Sequence, residues 1–310
     1  MRPDTGSPQS GRCPFESGPA HVDPMPLVLK ATPARSAFKK MLGQNNHFLI
    51  TILVGLDAVE SGQANLSPEF STSWSPINAH ASARRSRDFA TKALLAWAST
   101  ALDTYRRQLS TPTNVYLSIG ECDAIKAEEG LGARLQRLSQ LVGAVMGPEK
   151  ELVELLVVWR NRVVHTNARD VVSGGLKRRL LANQALLAKD YQGLNIERAM
   201  EGARRGNAPK FKEITALVRA AHIFVREIDK AILARVDLDK CLLAVLSTYV
   251  SEDPVKRCRN IWGRDAARRR RSIMQVAQSY GMSQEDGTEW YRTSSLPKSS
   301  RGAQKTHFCG

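Results

Sequence analysis

The stretch GPEKELVELLVVWRNRVVHTNARD, from Gly147 to Asp170, decides how this chain is read. Pro148 stands where a first helical turn tolerates proline, since the N–H it lacks would have no partner there. Glu149 and Glu151 follow, at the positive end of a helix dipole. Leu152, Leu155, Leu156, Trp159 and Val163 then recur at the spacing of a buried helix face. Asn161 and His165 stand an i,i+4 step apart, so they share a face and can touch. That face lies opposite the leucine stripe at about 100° per residue, flanked by Val157, Val158 and Val164. A helix apolar nearly all round is covered on both sides. The second cover comes either from the same chain or from a second copy of it.

The flanking sequence is also helical. Gly130 to Met146 places Leu131, Leu135, Leu138, Leu141, Val142 and Val145 on one side, and the Gly147-Pro148 turn joins it to the central helix. Ser82 to Leu109 reads as a helix with Phe89, Ala93, Leu94, Trp97, Ala101 and Leu102 inward, and with Arg106 and Arg107 in the last turn, where cations are favoured. Asn46 to Glu60 has enough β-branched residues for a strand, but Leu53, Leu56, Asp57 and Glu60 keep a 3.6 period and favour a helix. Ser61 to Ala81 is a loop, and Pro112 to Gly120 breaks the pattern. Val171 to Ala188, with its cluster Lys177-Arg178-Arg179, reads as helix, as do Phe211 to Val236 and Leu238 to Val250.

Short links between long amphipathic segments favour antiparallel neighbours in a bundle. The expected fold is all-α, an up-and-down bundle with additional C-terminal helices. Residues 1–45 hold seven of the 14 prolines and have the composition of a disordered segment. Residues 46–236 form the helical domain, with an insertion after His165. Residues 237–281 form a basic helical extension, and 282–310 a disordered polar tail.

The 310 residues carry 45 Lys and Arg against 30 Asp and Glu, a net charge of +15. Such an excess favours polyanions through counterion release, nucleic acid first among them. Lys256 to Arg271 concentrates eight of the basic residues around Trp262. That run suits stacking on and tracking a single strand, or a solvated basic helix face. The five cysteines form no CxxC pair, so zinc spacing is absent and reduced thiols are expected. The opening residues carry no apolar h-region, and the longest apolar run, Phe48 to Leu56, is too short to span a bilayer. A cytoplasmic protein with no membrane partner is expected. No phosphate-binding loop, dinucleotide fingerprint, H-E-x-x-H or G-x-S-x-G occurs, so neither a cofactor nor a metal is expected.

Arg160-Asn161, three further residues and then His165, near the end of an apolar helix, resembles the signature of the HEPN family of small helical nucleases. That signature is an arginine, commonly a polar residue directly after it, and a histidine a short step on. The resemblance runs from about Asn46 to Ala168 and at its widest to about Asp237. It implies a HEPN-like bundle acting as a metal-independent endoribonuclease. It also implies a homodimer whose two motifs meet at a groove, and a setting with an antitoxin or a phage-defence system. By the same resemblance His165 transfers protons, Arg160 holds the phosphate, and Asn161 orients or supports them.

The residue types suit those roles. Histidine moves protons near neutral pH, and the guanidinium is a fixed, always charged fork for phosphate oxygens. Candidate RNA contacts are Arg162, Arg169, Trp262, Arg268, Arg269, Arg270 and Arg271. Arg162 and Arg169 also fit plain solvated charges. Arg160 lies about 100–140° around the wheel from Asn161 and His165, so its stem must reach round, or a partner copy must complete the site. The rival readings are an inactive HEPN-like module that binds RNA or protein, and a helical interaction protein in which His165 is a core histidine favoured by the helix dipole. His222, beside Phe224 in an apolar helix, reads as structural.

Overall fold

The computed structural model describes residues 27–64, 78–111, 115–165, 170–262 and 265–284. In chain order they form strand β1 (Leu27–Leu29) and helices α1 (Pro33–Leu42), α2 (Asn45–Glu60), α3 (Ala79–Leu109), α4 (Ile119–Lys126), α5 (Gly130–Leu141), α6 (Glu149–Val164) and α7 (Gly174–Ala182). These are followed by α8 (Gln184–Asp190), α9 (Ile196–Arg205), α10 (Phe211–Arg235), α11 (Leu238–Ser251), α12 (Pro254–Trp262), α13 (Ala266–Ser279) and strand β2 (Met282–Gln284). The fold is an all-α helical bundle, with one two-stranded antiparallel ribbon that pairs Leu27 with Gln284 and Leu29 with Met282.

Helices α3, α6 and α10 pack on one another and make the main core. Leu95, Leu102 and Tyr105 come from α3, Leu152, Leu155, Leu156 and Trp159 from α6, and Leu217, Phe224 and Ile228 from α10, all of them buried. Val153 and Val157, on the other side of α6, are buried as well. Helices α5, α7 and α9 close around α6. The chain therefore covers both faces of its central helix itself along most of its length. Trp159 fixes the depth of the α6–α9 contact. Its Nε1 donates to the Asn207 carbonyl at 2.8 Å, and its ring lies so close to Gly202 that a Cβ there would sit 2.8 Å from a ring carbon.

The N-terminal boundary differs from the sequence expectation. Residues 27–45, assigned to a disordered segment, are folded. Thr32 caps α1 by accepting from the Arg35 N–H, Pro33 occupies the first turn, and Phe38 and Leu42 enter the core. Thr32 is itself buried, and both its N–H and its hydroxyl donate to the buried Asp229 of α10. Proline-rich composition concealed a helix whose start is a proline. At the other end, Met282–Gln284, assigned to the tail, form β2. Gly281 leads into it at φ +83, where a Cβ would meet the Ala31 carbonyl at 2.8 Å. Residues 1–26 and 285–310 lie outside the described residues, as do 65–77 of the expected Ser61–Ala81 loop.

A second, smaller core joins α11, α12 and α13 to the ribbon through Leu27, Leu242, Val245, Leu246, Ile261, Ile273, Ala277 and Met282. It accounts for the segment read as a basic extension. Cys122 and Cys241 are buried free thiols. Cys258 is disulfide-bonded, which corrects the expectation of reduced cysteines throughout.

Helix assignments differ in places. Pro112–Gly120 was read as a break, yet Ser118 opens α4 with a capping box shared with Glu121. The single helix expected over 171–188 divides at Asn183 into α7 and α8, and α9 follows it. The inner face assigned to α3 is rotated: Leu94, Ala101 and Leu102 are buried, whereas Phe89 is 74% and Trp97 47% exposed. Val145, placed with the leucines of α5, lies beyond that helix and is 90% exposed. Helix α2 rests on α3 through Leu49, Leu53 and Leu56, with Asp57 and Glu60 pairing to Arg87 of α3. Its other large apolar residues, Phe48, Ile50, Ile52, Val54 and Val59, are exposed. Among the described residues no helix is long and apolar enough to cross a membrane.

Candidate active site

Helix α6 delivers the site by ending where it does. Glu149 and Glu151 stand in its first turn, where carboxylates suit the positive end of the helix dipole. Four turns later the last helical residue is Val164, and His165 leaves the helix with extended backbone, φ −110 and ψ 113. Its N–H still donates to the Asn161 carbonyl at 3.0 Å, closing the last turn. That departure carries the ring out of the helix wall. His165 is exposed, while Arg160 and Asn161 are half-buried beside it.

Three side chains meet there. Arg160 Nη1 donates to Asn161 Oδ1 at 3.0 Å. The same nitrogen stands 3.1 Å from His165 Nε2. Asn161 Nδ2 donates to Asp170 Oδ1 at 3.0 Å. The wheel angle that separated Arg160 from the other two is spanned by its own stem within one chain. Arg160 Nε is buried and has no partner. A guanidinium only donates, so His165 Nε2 is the acceptor in this contact. The cluster thus presents an exposed imidazole ring and a cationic fork on one side, and a carboxylate that holds the asparagine amide on the other.

Asp170 was not among the residues expected at the site. It is nine positions from Asn161, beyond the end of the helix, and no local spacing pointed to it. Its carboxylate nonetheless lies within hydrogen-bond distance of the Asn161 amide.

The candidate RNA contacts are distributed differently. Arg162 is half-buried, and its Nη2 donates to the Arg204 carbonyl at 3.1 Å, closing the C-terminal end of α9 beside Gly206. Arg169 lies outside the described residues. Trp262 is half-buried against the smaller core. Arg268 and Arg271 are exposed on α13, Arg268 pairs with Asp265 at 3.3 Å, and Arg269 and Arg270 are half-buried. Helix α13 packs on α11, α12 and β2. The basic run and the histidine cluster therefore belong to different cores. His222, read as structural, is half-buried on α10 with its ring edge-on to Phe38 at 5.1 Å. No family model, curated protein or solved structure matches this chain.

Proposed function

We propose that the chain is a metal-independent endoribonuclease of HEPN type, cytoplasmic, and active as a homodimer. The observation that carries this reading is the cluster at the end of α6. Arg160 Nη1 reaches both Asn161 and His165 within hydrogen-bond distance, and the ring is open to solvent. Strand cleavage needs a base to take the proton of a ribose 2′-hydroxyl. The 2′-oxygen attacks phosphorus, the bond to the 5′-oxygen breaks, and an acid gives that oxygen a proton. The products are a 2′,3′-cyclic phosphate and a 5′-hydroxyl end. His165 Nε2 suits the proton transfer, and Arg160 the charge that grows on the phosphoryl oxygens.

In the free site Arg160 occupies the lone pair of Nε2. An incoming phosphate offers the guanidinium a stronger, charge-assisted acceptor. The arginine then swings to the phosphate and frees the imidazole. Asn161, tethered by Asp170, guides that movement. One chain supplies one such histidine, and a second copy supplies another for the opposite proton. Support for pairing comes from α2, whose Phe48, Ile52 and Val54 stand in solvent 56%, 48% and 62% exposed. Phe48 and Ile52 stand one turn apart on the same face, and exposed apolar side chains of that kind suit an interaction face.

The test is incubation of purified protein with end-labelled RNA, wild type beside His165→Ala and Arg160→Ala. Wild type cuts, and each variant loses at least a hundredfold in rate, the ordinary contribution of acid–base catalysis. No cleavage by wild type, or equal cleavage by the variants, refutes the reading and leaves a binding module. Light scattering that shows only monomer at assay concentration refutes the paired site.

A further inference from the structure

A cleft of about 520 Å³ opens between α1, the first turn of α2, the turn after α8, and α10. None of Arg160, Asn161 and His165 lines it. Four cations do, Arg35, Lys39, Arg219 and Arg226, and no carboxylate does. Two of the four are balanced from behind. Arg35 leans on Asp229 at 3.5 Å, and Arg226 pairs with Glu227 at 2.8 Å. The other two have no carboxylate partner among the described residues. Lys39 stands exposed at the mouth. Arg219 is held in place without being neutralised: Nη1 donates to the Asp190 carbonyl at 2.7 Å, and the guanidinium lies 5.1 Å from the centre of the Tyr191 ring. An arginine oriented in this way and left uncompensated is ready for an anion.

Two further features point to a ligand. Asn46 lines the wall from the first turn of α2, and its Oδ1 is buried with no hydrogen-bond partner. A buried acceptor without a donor costs about 1–3 kcal/mol, which a ligand hydroxyl or amino group would relieve. The same turn has no side-chain cap, so the positive end of the α2 dipole is left open. On the rim, Gln192 adopts φ +53 between Tyr191 and Gly193. It is the one non-glycine residue in the left-handed region among the described residues, and such strain concentrates at functional sites. His222 adds a ring that burial and the nearby Lys39 hold below the usual histidine range. It therefore brings a neutral donor and acceptor to the cleft and no further positive charge.

We infer that this cleft binds a nucleoside phosphate, its phosphates between Lys39 and Arg219 and its nucleoside donors against Asn46. The volume lies within the range of small-molecule sites, about 300–1,000 Å³. Phosphate alone would leave Asn46 unsatisfied, and a nucleoside alone would leave the two cations unused.

Isothermal titration calorimetry of the full chain tests this with ATP, GTP, CTP and UTP, and with pyrophosphate and adenosine as separate arms, all at one salt concentration. At least one triphosphate binds saturably at one per chain. Pyrophosphate binds about tenfold more weakly, and adenosine shows no saturable heat. Lys39→Glu combined with Arg219→Glu, both at exposed positions, lowers the affinity at least tenfold with an unchanged helical circular dichroism spectrum. If that variant fails to fold, Lys39→Ala alone serves, with a smaller loss. Absence of binding by all four triphosphates, pyrophosphate matching the best of them, or charge variants that bind as well as wild type overturns the inference. The readout is heat of binding, so the outcome is independent of whether the chain cuts RNA.

Discussion

A guanidinium has five donors and no acceptor, so whatever Arg160 touches must accept. In the free chain those acceptors are Asn161 Oδ1 and His165 Nε2, and the buried Nε has none. The proposed chemistry rests on exchanging these weak acceptors for phosphate oxygens. Asp170 decides how well the asparagine follows, because it holds the amide from behind at 3.0 Å. Asp170→Ala frees that amide, a loss of about 1–2 kcal/mol of positioning, so kcat for RNA cleavage falls roughly tenfold with KM little changed. Asp170→Asn keeps an acceptor and restores most of the rate. An unchanged kcat in Asp170→Ala would show that the carboxylate has no part in the site. Arg160, Asn161 and His165 were legible in the sequence because all three sit on or just after one helix, where spacing fixes angle. Asp170 was not, because its approach depends on the path of the chain after the helix ends.

At the scale of elements, α6 packs on α3 and α10 in the main core, and Trp159 seats it on α9. Trp159→Ala removes a fully buried ring and the hydrogen bond to the Asn207 carbonyl, and costs about 3–5 kcal/mol. Gly202→Ala pushes a methyl group into that ring from the other side and costs about 1–3 kcal/mol by overpacking. Urea unfolding of both variants measures these losses, and a Gly202→Ala protein as stable as wild type would mean that the α6–α9 contact has slack. The same contrast explains which helices could be read in advance. Helices α6 and α10 carry long unbroken periods, and Leu152, Leu155, Leu156 and Trp159 of the stripe expected on α6 are buried, whereas Val163 is half-buried. Helix α1 was concealed by the prolines around it, since composition averaged over a segment outweighs one cap and three buried side chains. Helix α4 announced itself only through the Ser118–Glu121 capping box. Phe89 and Trp97 were placed inward because they share a helical face with Ala93 and Ala101 at i,i+4 spacing. Trp97 remains at the surface, where its Nε1 donates to the Met41 carbonyl at 2.8 Å and ties α3 to the end of α1. Helix α2 obeyed its period but lacks a second cover, a property of its neighbours that no single stretch of sequence encodes.

At the scale of the whole molecule the two ends of the described chain meet. Strand β1 pairs with β2, Thr32 anchors the first helix to Asp229, and the Tyr116 hydroxyl donates to the Tyr280 carbonyl at 2.9 Å. Buried phenols make this assembly sensitive to alkali. Burial pushes the hydroxyls of Tyr105, Tyr116 and Tyr191 above the usual tyrosine range, with Asp229 adding to it at Tyr105 and Glu149 at Tyr191. Above about pH 10 the unfolded chain loses those protons while the folded chain keeps them. Stability is therefore fully present below pH 10 and falls above it, by up to about 1.4 kcal/mol per pH unit for each phenol. Melting temperatures between pH 8 and 11 show this as a steepening decline. Tyr105→Phe, which removes a buried hydroxyl without a partner, makes the decline shallower at no cost in stability at pH 7. The most direct measurement of the account is the chemistry of the ends left on cut RNA. Wild-type protein incubated with RNA in EDTA should leave 2′,3′-cyclic phosphate and 5′-hydroxyl termini, and His165→Ala should leave the RNA intact. Cleavage that vanishes in EDTA, or that yields 5′-phosphate ends, would contradict it.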